Sequence, residues 1–464
     1  MLSSAAVVLT LVSFACGENP AVQVLLTNKG LQYGKHVGAG WIQDKLTQIT
    51  LPDISGKVFG IHFTLTGTTI TKCDFPEPTV EFYQNATGFK SSISGLSAAL
   101  TGEWTTAFGL IHDSGTFSMA LFSVDVTWVV SLGNDSGGHL SVTSNGCDAL
   151  IGNMDIQLRG GASWIFKPIL AHYMGRLKDE IQSKICLFVQ ASVVSMEHHL
   201  QLMNVSFDVD QFLTLDLPLT GSPLIDASSL NLGLKGEFYN TKTHKDPPFK
   251  AQPFTLPDQP GYMLSLGLSE YTVNSASYGY YSAGLLQTLI NDSMIPPSFP
   301  VRLNTSSMGP FIPQLPKKFP GLLMKLQVYA REVPLFSFQP GAVKLNLKGA
   351  VKAFAIQPNG TQTPLFKLNV DTDFSGKVWI ADGKLKGSMG MNNLTLTLAS
   401  SEVGPFQTAA LEKLAKMGSA MLMGKINAEL GKGVNLPRMK QAELVNAILK
   451  MNQGFITISS DAQV

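Results

Sequence analysis

Hydrophobic and polar residues follow two different periods along this chain, and the change between them predicts a mixed α+β fold. Apolar side chains alternate with Asp, Thr and Ser at 124–132, and the same alternation returns at 343–347 and 394–398. A period of two is typical of strands that bury one face. Asp382 and Gly383 separate two such stretches and predict a hairpin turn. The strands are therefore expected to be long and antiparallel.

Four segments instead repeat their apolar residues every three or four positions, which predicts amphipathic helices. The clearest repeat lies at 164–189, whereas the first segment is weakened by four glycines, each costing roughly 1 kcal/mol of helix stability. The last segment stops before Gly431 and Gly433, as helices commonly do. The predicted helices cover residues 28–49, 164–189, 282–294 and 407–430.

The two halves of the chain contain the same elements in a similar order, namely a helix, long strands, a second helix and a short strand such as 454–459. This order indicates an internal duplication with a period near 200 residues, far longer than the 20 to 50 residues of solenoid repeats. Five prolines at 237–260 predict an extended, semi-rigid linker between the halves. We therefore expect domains at 18–236 and 261–464.

The N-terminus is typical of a secreted protein. Residues 1–17 form a short apolar run followed by small residues, which predicts a cleaved signal peptide, although a buried first strand is the alternative. Sequons for N-glycosylation support passage through the secretory route. The seven sequons are at Asn85, Asn134, Asn204, Asn291, Asn304, Asn359 and Asn393.

Composition and charge narrow the functional classes. The chain is 44% hydrophobic and only 14% charged, and its net charge of +1 gives no general attraction to nucleic acid. The charge is nevertheless uneven, because residues 18–218 carry a net −7 and the remainder a net +8. No Lys or Arg occurs at 91–158. After residue 17 no apolar stretch is long enough to span a bilayer.

Catalytic and metal-binding patterns are absent from the sequence. It contains no G-x-S-x-G, Walker, C-x-x-C or H-E-x-x-H motif, and the pair His198 and His199 is interpreted as surface histidine. After signal cleavage Cys73, Cys147 and Cys186 remain, which permits one disulfide and one free thiol. The residues themselves do not decide which two cysteines pair.

Short motifs spread over nearly the whole mature chain resemble a known family. They include NPAVQVLLTNKGLQYG at 19–34, LPDISG, KGEFYN, DPPF, LGLSEY, DSMIP, KKFPG, AFAIQPN, GPF and NQGF. In this order they are similar to the family of lipopolysaccharide-binding protein and bactericidal/permeability-increasing protein. The resemblance implies an elongated boomerang of two similar barrels, each a strongly bent antiparallel sheet with two helices, joined by a central antiparallel sheet. It also implies a disulfide between Cys147 and Cys186.

The resemblance further implies an apolar pocket in each barrel that takes phospholipid acyl chains, with no cofactor and no metal. A packed core that simply fills the space is the alternative for the same residues. The expected pocket residues are Leu31, Trp41, Ile42, Ile169, Tyr173, Leu177 and Ile181 in the first half, and Leu285, Leu286, Leu289, Leu414 and Met421 in the second.

One segment departs from the family pattern. The family clusters Lys and Arg at the tip of its first barrel, where they contact the phosphates of lipid A. Here the matching segment TTAFGLIH at 105–112 has no basic residue, which leaves Lys35, Lys45, Lys57 and Lys90 as candidate headgroup contacts. Acyl-chain binding is unaffected by this departure.

Together these features predict a secreted, monomeric, non-catalytic protein of host defence. It is expected to bind lipopolysaccharide and phospholipid at the outer membrane of Gram-negative bacteria, and to be antibacterial, extracellular or stored in secretory granules. A phospholipid carrier or transfer protein is the alternative. An esterase would need an activated nucleophile, which the sequence does not offer.

Overall fold

A computed structural model describes residues 18–46, 50–436 and 443–463, so the predicted signal peptide lies outside the described residues. In this structure each half of the chain contains one strongly curved antiparallel sheet with a long helix packed on it. A third sheet, built from strands of both halves, joins them. The predicted α+β class, with two similar barrels and a central sheet, is confirmed.

The elements are numbered in chain order. The helices are α1 Asn28–Leu46, α2 Ser163–Gln201, α3 Glu270–Ser282, α4 Gln314–Lys318 and α5 Ala409–Lys432. The strands of the first half are β1 Val22–Thr27, β2 Ile54–Val58, β3 Ile61–Asp74, β4 Thr79–Tyr83, β5 Gly88–Phe108, β6 Ile111–Asn134, β7 Leu140–Arg159, β8 Ser206–Asp208, β9 Leu213–Asp216, β10 Leu224–Ile225, β11 Ser229–Leu234 and β12 Glu237–Asn240. Those of the second half are β13 Leu264–Ser269, β14 Gln287–Asn291, β15 Leu323–Ala330, β16 Leu335–Gln339, β17 Ala342–Ile356, β18 Gln362–Ala381, β19 Lys384–Ser401, β20 Val434–Asn435, β21 Glu443–Met451 and β22 Phe455–Gln463.

The first curved sheet has the order β2-β3-β5-β6-β7, with β4 added to one end of β5. Its three longest strands, β5, β6 and β7, have 20 to 24 residues and are interrupted by bulges, for example between Ile93 and Leu96. Because a bulge bends its strand and increases the local twist, these strands can wrap around a helix. That helix is α2, which packs mainly on β7.

The second curved sheet repeats this arrangement with the order β14-β15-β17-β18-β19-β20 and with α5 packed on β19. The predicted hairpin at Asp382 and Gly383 joins β18 to β19, and both residues have positive φ, 54° and 66°. Positive φ at both central positions is the requirement of a tight two-residue hairpin turn. Here the alternating pattern and the turn signal both predicted the structure correctly.

The central sheet has the order β10-β11-β1-β13-β22-β21, so β1 of the first half pairs directly with β13 of the second. Each of these two strands runs straight into a helix, α1 or α3, and each has a strand of its own half on its other side. The sheet is therefore arranged symmetrically about the β1–β13 pair. The two halves are repeats in structure as well as in order.

The predicted helix at 282–294 is wrong. Residues 287–291 form strand β14, which pairs with 325–329 of β15, and Gly284 has a φ of +71° that ends the preceding helix. That helix, α3, lies just upstream and begins at an N-cap, where the Ser269 side chain accepts a hydrogen bond from the amide of Tyr271. The helix predicted at 164–189 is present but extends to Gln201.

The proline-rich segment 237–260 packs on both halves of the chain. Its first four residues form β12, and further along the Phe254 ring stacks on Phe455 of β22 with centroids 4.6 Å apart. The Gln23 amide donates to the carbonyl of Phe254 at 2.7 Å, and the Asn19 amide donates to that of Ala251 at 3.0 Å. Ala251 and Leu256 are both buried.

Within the described residues, no helix combines the length and the apolar character needed to cross a membrane.

Candidate lipid-binding site

A large cavity of about 690 Å³ lies inside the second half, between the curved sheet and α5. Its walls come from alternate residues of neighbouring strands, such as Leu326 and Val328 on β15, Leu368 on β18, and Leu394 and Leu396 on β19. Since alternate residues of a strand share one face, the period-two pattern places these side chains inward together. The cavity is within the range of small-molecule sites, which is roughly 300 to 1,000 Å³.

The helix face that closes the cavity carries two leucines and two small residues. Leu411, Leu414, Ala415 and Gly418 of α5 follow each other at intervals of three and four, which places them on one face of the helix. An ideal Cβ atom at Gly418 would lie 3.7 Å from the Phe299 ring, so that ring rests against the helix backbone. Phe299 thus bounds the cavity at Gly418.

Arg302 is the only charged residue among the described residues that line the cavity. Its guanidinium donates to Asp292 Oδ2 at 2.7 Å and to the carbonyl of Ile295 at 3.0 Å. The second carboxylate oxygen of Asp292 accepts the amide of Leu303 at 2.7 Å. The hydrogen bond from Arg302 holds the pKa of Asp292 below its usual value. This ion pair fixes the loop that carries Phe299 into the cavity wall.

The structure brings some of the predicted residues of this half together and separates others. Leu285, Leu286 and Leu414 line the cavity. Leu289 does not, because it is half exposed on β14 and its neighbours Thr288 and Ile290 take the inward positions. Met421 lies one turn beyond Gly418 and is also exposed. Sequence reasoning missed Phe299, which stands in a proline-rich loop with no periodic signal.

The first half is packed much more tightly. Among the described residues, the apolar cavity beneath α2 has only about 50 Å³ and lies between α2 and strands β2, β3, β5 and β7. Trp104 and Leu177 border it and are 1% and 0% exposed. The rings of Trp104 and Phe166 meet edge to face with centroids 5.5 Å apart. In the described residues, large side chains therefore occupy most of the space inside this sheet.

The predicted residues of the first half are distributed as follows. Tyr173 and Leu177 line the small cavity, and Ile181 is buried in the adjoining core. Leu31 is half-buried on α1 and does not border this cavity. The side chains of Trp41, Ile42 and Ile169 lie outside the described residues. The described part of the first half thus fits the packed-core alternative better than an open pocket.

The three candidate headgroup lysines whose side chains the structure describes do not form one cluster. Lys35 pairs with Glu77 at 3.2 Å, and Lys90 lies 4.0 Å from Glu81 at the β4 end of the sheet. Lys57 is exposed beside the turn after β2, at the opposite end of the long strand β5. The side chain of Lys45 lies outside the described residues. Two of the four lysines are already engaged by carboxylates of the protein.

A disulfide joins Cys147 of β7 to Cys186 of α2, with the Cα atoms 5.6 Å apart, and Cys73 is free. This confirms the pairing implied by the family resemblance, and it holds α2 against the sheet.

Of the seven sequons, Asn304 is half-buried and its side chain accepts the amide of Ser307, whereas the other six asparagines are exposed. In the part of the chain that the structure describes, no group of three metal-ligating side chains could hold an ion.

Both halves of the chain are similar to known proteins. The family model described as LBP / BPI / CETP family, N-terminal domain, matches residues 30–196, and the C-terminal domain model matches residues 207–464. The chain is 35% identical to bactericidal permeability-increasing protein of Sebastes schlegelii, over 98% of this chain and 97% of that protein. It is 28% identical to lipopolysaccharide-binding protein of Homo sapiens, over 99% and 96% of the two chains. A crystal structure of lipopolysaccharide binding protein matches with a TM-score of 0.58 and 26% identity, covering 96% of this chain and 99% of that one.

Proposed function

Because the chain belongs to the LBP / BPI / CETP family, we propose that it is a secreted, non-catalytic protein of innate immunity that binds bacterial lipopolysaccharide and phospholipid. Relatives of nearly equal length named for bactericidal action and for lipopolysaccharide binding support this proposal. It acts as a monomer at the outer surface of Gram-negative bacteria and has no need of a cofactor or metal.

The observation that carries the proposal is the apolar cavity of the second half. Burial in such a cavity stabilises a bound acyl chain by roughly 0.8 kcal/mol for each methylene group, without any specific polar contact. Arg302 is placed to face a phosphate at the cavity wall, although its bond to Asp292 limits how far it can reach. We expect phospholipid acyl chains to occupy this cavity in the secreted protein.

The first half has a different role in this proposal. Its small cavity leaves little room for acyl chains among the described residues, so lipid A contacts are assigned to its outer surface. Lys57 is the best placed of the three predicted lysines with described side chains, because it is exposed and lies near the end of the sheet. Lys35 and Lys90 would first have to leave Glu77 and Glu81.

The test begins with the full chain, secreted from eukaryotic cells and purified without detergent. Mass spectrometry of its lipid extract should find phospholipid, and a titration with lipid A should show saturable binding. Finding neither would refute the proposal. Bound phospholipid without affinity for lipid A would favour a phospholipid carrier instead.

A further inference from the structure

In both halves, polar side chains of the long helix bind backbone groups along the outer edge of the last long strand. Strand β7 ends the first curved sheet, and β19 is followed in the second only by the two-residue β20. The outer edge of such a strand presents amides and carbonyls that have no neighbouring strand to bind. The helix supplies the missing partners. We call these two lines of contact the α2–β7 seam and the α5–β19 seam.

The α2–β7 seam is closed by a covalent bond as well as by hydrogen bonds. Three side chains of α2 bind the backbone of β7, with donor–acceptor distances between 2.5 and 3.1 Å. The pairs are Gln182 with the amide of Ile151, Glu197 with the amide of Val142, and Lys178 with the carbonyl of Gly152. Among these bonds, the disulfide of Cys147 and Cys186 joins the strand to the helix. Helix α2 therefore cannot leave its strand while the disulfide is intact.

The α5–β19 seam has the same chemistry without the covalent bond. Glu412 Oε1 accepts the amide of Leu396 at 3.0 Å. Asn427 Oδ1 accepts the amide of Met389 at 2.7 Å, and its Nδ2 donates to the carbonyl of Met389 at 2.8 Å. The second half of the chain contains no cysteine. These bonds can therefore break and form again without any chemical reaction.

The large cavity lies directly behind the α5–β19 seam. Glu412 and Asn427 are about four turns apart on α5, which corresponds to roughly 22 Å of helix. Ala415 and Gly418 lie between them and line the cavity, and Leu396, whose amide binds Glu412, lines it from the strand. Separating this part of α5 from β19 would open the cavity along its side.

The opposite side of α5 is bounded by a loop that is held at closely spaced points. The Phe299 ring rests against the helix there, and the ion pair of Arg302 and Asp292 lies in the same loop. This pair also binds the carbonyl of Ile295 and the amide of Leu303. Several bonds thus act on a few residues of the loop, whereas the described side-chain bonds across the seam are at two positions far apart. The seam is the boundary that opens more easily.

We propose that the α5–β19 seam is the gate through which phospholipid enters and leaves the cavity of the second half. This inference rests on the proposed lipid-binding function and adds how access to the site is controlled. Glu412 and Asn427 act as positioning residues that close the gate when no lipid passes. The disulfide keeps the corresponding seam of the first half closed, where the described cavity has about 50 Å³ instead of about 690 Å³.

The test measures how fast lipid leaves the full-length protein. The protein is loaded with phosphatidylcholine that carries a fluorescent acyl chain, and release into an excess of unlabelled phosphatidylcholine vesicles is followed by fluorescence. The double variant Glu412→Ala, Asn427→Ala should release the lipid about tenfold faster or more, because each lost hydrogen bond changes the opening equilibrium by roughly fivefold. The Ala415→Trp variant, in which the new ring fills the cavity, shows how much of the signal comes from this half.

Two variants separate a gate from a general loss of stability. Gln182→Ala removes a bond of the same kind from the seam that the disulfide closes, so its release rate should equal that of wild type. Glu412→Gln keeps an acceptor oxygen for the amide of Leu396 and should restore most of the wild-type rate. Circular dichroism and thermal unfolding check the fold of each protein. If the double variant does not fold, each single alanine variant should still release lipid about fivefold faster.

Equal release rates in wild type and in the alanine variants would overturn the gate. So would faster release from Phe299→Ala alone, since the entrance would then lie at the loop. A wild-type protein that takes up no labelled phospholipid would overturn the cavity proposal and the gate with it. Normal loading combined with unchanged release would refute only the gate.

Discussion

The buried hydroxyl of Tyr271, at the start of α3, donates a hydrogen bond to Glu237 of β12. Glu237 also pairs with Lys235 at 3.1 Å. Burial and the bond to the carboxylate raise the pKa of Tyr271 well above its usual value, so the tyrosine is neutral and remains the donor at neutral pH. A residue of the second half is thus bonded directly to the strand that ends the first.

Tyr271→Phe should destabilise the protein, because it leaves a buried carboxylate oxygen without its donor. A loss of about 1 to 3 kcal/mol in the free energy of unfolding is expected, measured by chemical denaturation. Tyr278→Phe is the control, since the Tyr278 ring packs on Phe249 and, within the described residues, its hydroxyl makes no hydrogen bond. Equal stability of the two variants would contradict the assigned role of the Glu237 bond.

Ala415→Trp should reduce the phospholipid recovered with the protein, because the new ring would occupy the cavity beside Leu414. Displacing two methylene groups alone would lower lipid affinity roughly tenfold. Met421→Trp, on the same helix but outside the cavity, should leave lipid recovery unchanged. Mass spectrometry of lipid extracts compares the two variants. A similar loss of phospholipid in both would contradict the assignment of this face of α5 to the lipid site.

Replacing both Cys147 and Cys186 by Ser should lower stability by roughly 4 kcal/mol if the closed loop acts through chain entropy. The separation of 39 residues between the two cysteines sets this expectation. Denaturation of the double variant measures it. A protein of unchanged stability would mean that the packing of α2 on β7 is sufficient without the bond.

The free thiol of Cys73 should react slowly with iodoacetamide at neutral pH. Burial, followed by the nearby charge of Asp74, raises its pKa above the ordinary 9.0. Because only the thiolate reacts, the folded protein holds less reactive form at any given pH, and its alkylation rate should keep rising at pH values where an unperturbed thiol has levelled off. Alkylation of the urea-unfolded chain is the reference, and matching pH profiles would contradict the shift.

Binding to lipid A should depend little on salt. Added salt shortens the screening length from about 10 Å at 0.1 M to about 3 Å at 1 M and weakens exposed ionic contacts. Residues 105–112 include no Lys or Arg, and Lys35 and Lys90 are already paired with carboxylates. Titrations at the two salt concentrations test this. A large loss of affinity at 1 M salt would indicate that a cluster of lysines is the main contact.

The elements of the fold differ in how far the sequence predicts them. The long strands were predicted because alternation is a local property, and Leu394 and Leu396 do face inward as it requires. Residues 282–294 were misread because a short apolar run fits either period, and pairing with 325–329 of β15, a contact distant in sequence, decides the outcome.

Helix α3 was not predicted from the sequence, because its buried face is polar. Thr272, Asn274 and Ser275 are buried there, and Asn274 exchanges two hydrogen bonds with the backbone of Phe336. Hydrophobic periodicity cannot reveal a face of this kind. The size of each cavity could not be predicted from the sequence either. It depends on how rings such as Trp104 and Phe299 fill the space between strands that are distant in sequence.

The shared central sheet also imposes an order of events on a chain that is made from its N-terminus. Strand β1 can find β11 within the first half, but its other edge stays open until β13 has emerged, and β13 in turn needs β22 near the C-terminus. The ion pair of Lys29 and Asp461, at 2.8 Å, joins positions from the two extremes of the chain. Such contacts close slowly, since distant segments must first meet. During synthesis the first half therefore exposes the unpaired edge of β1 until β13 is available. This is the stage at which assistance from chaperones would matter most.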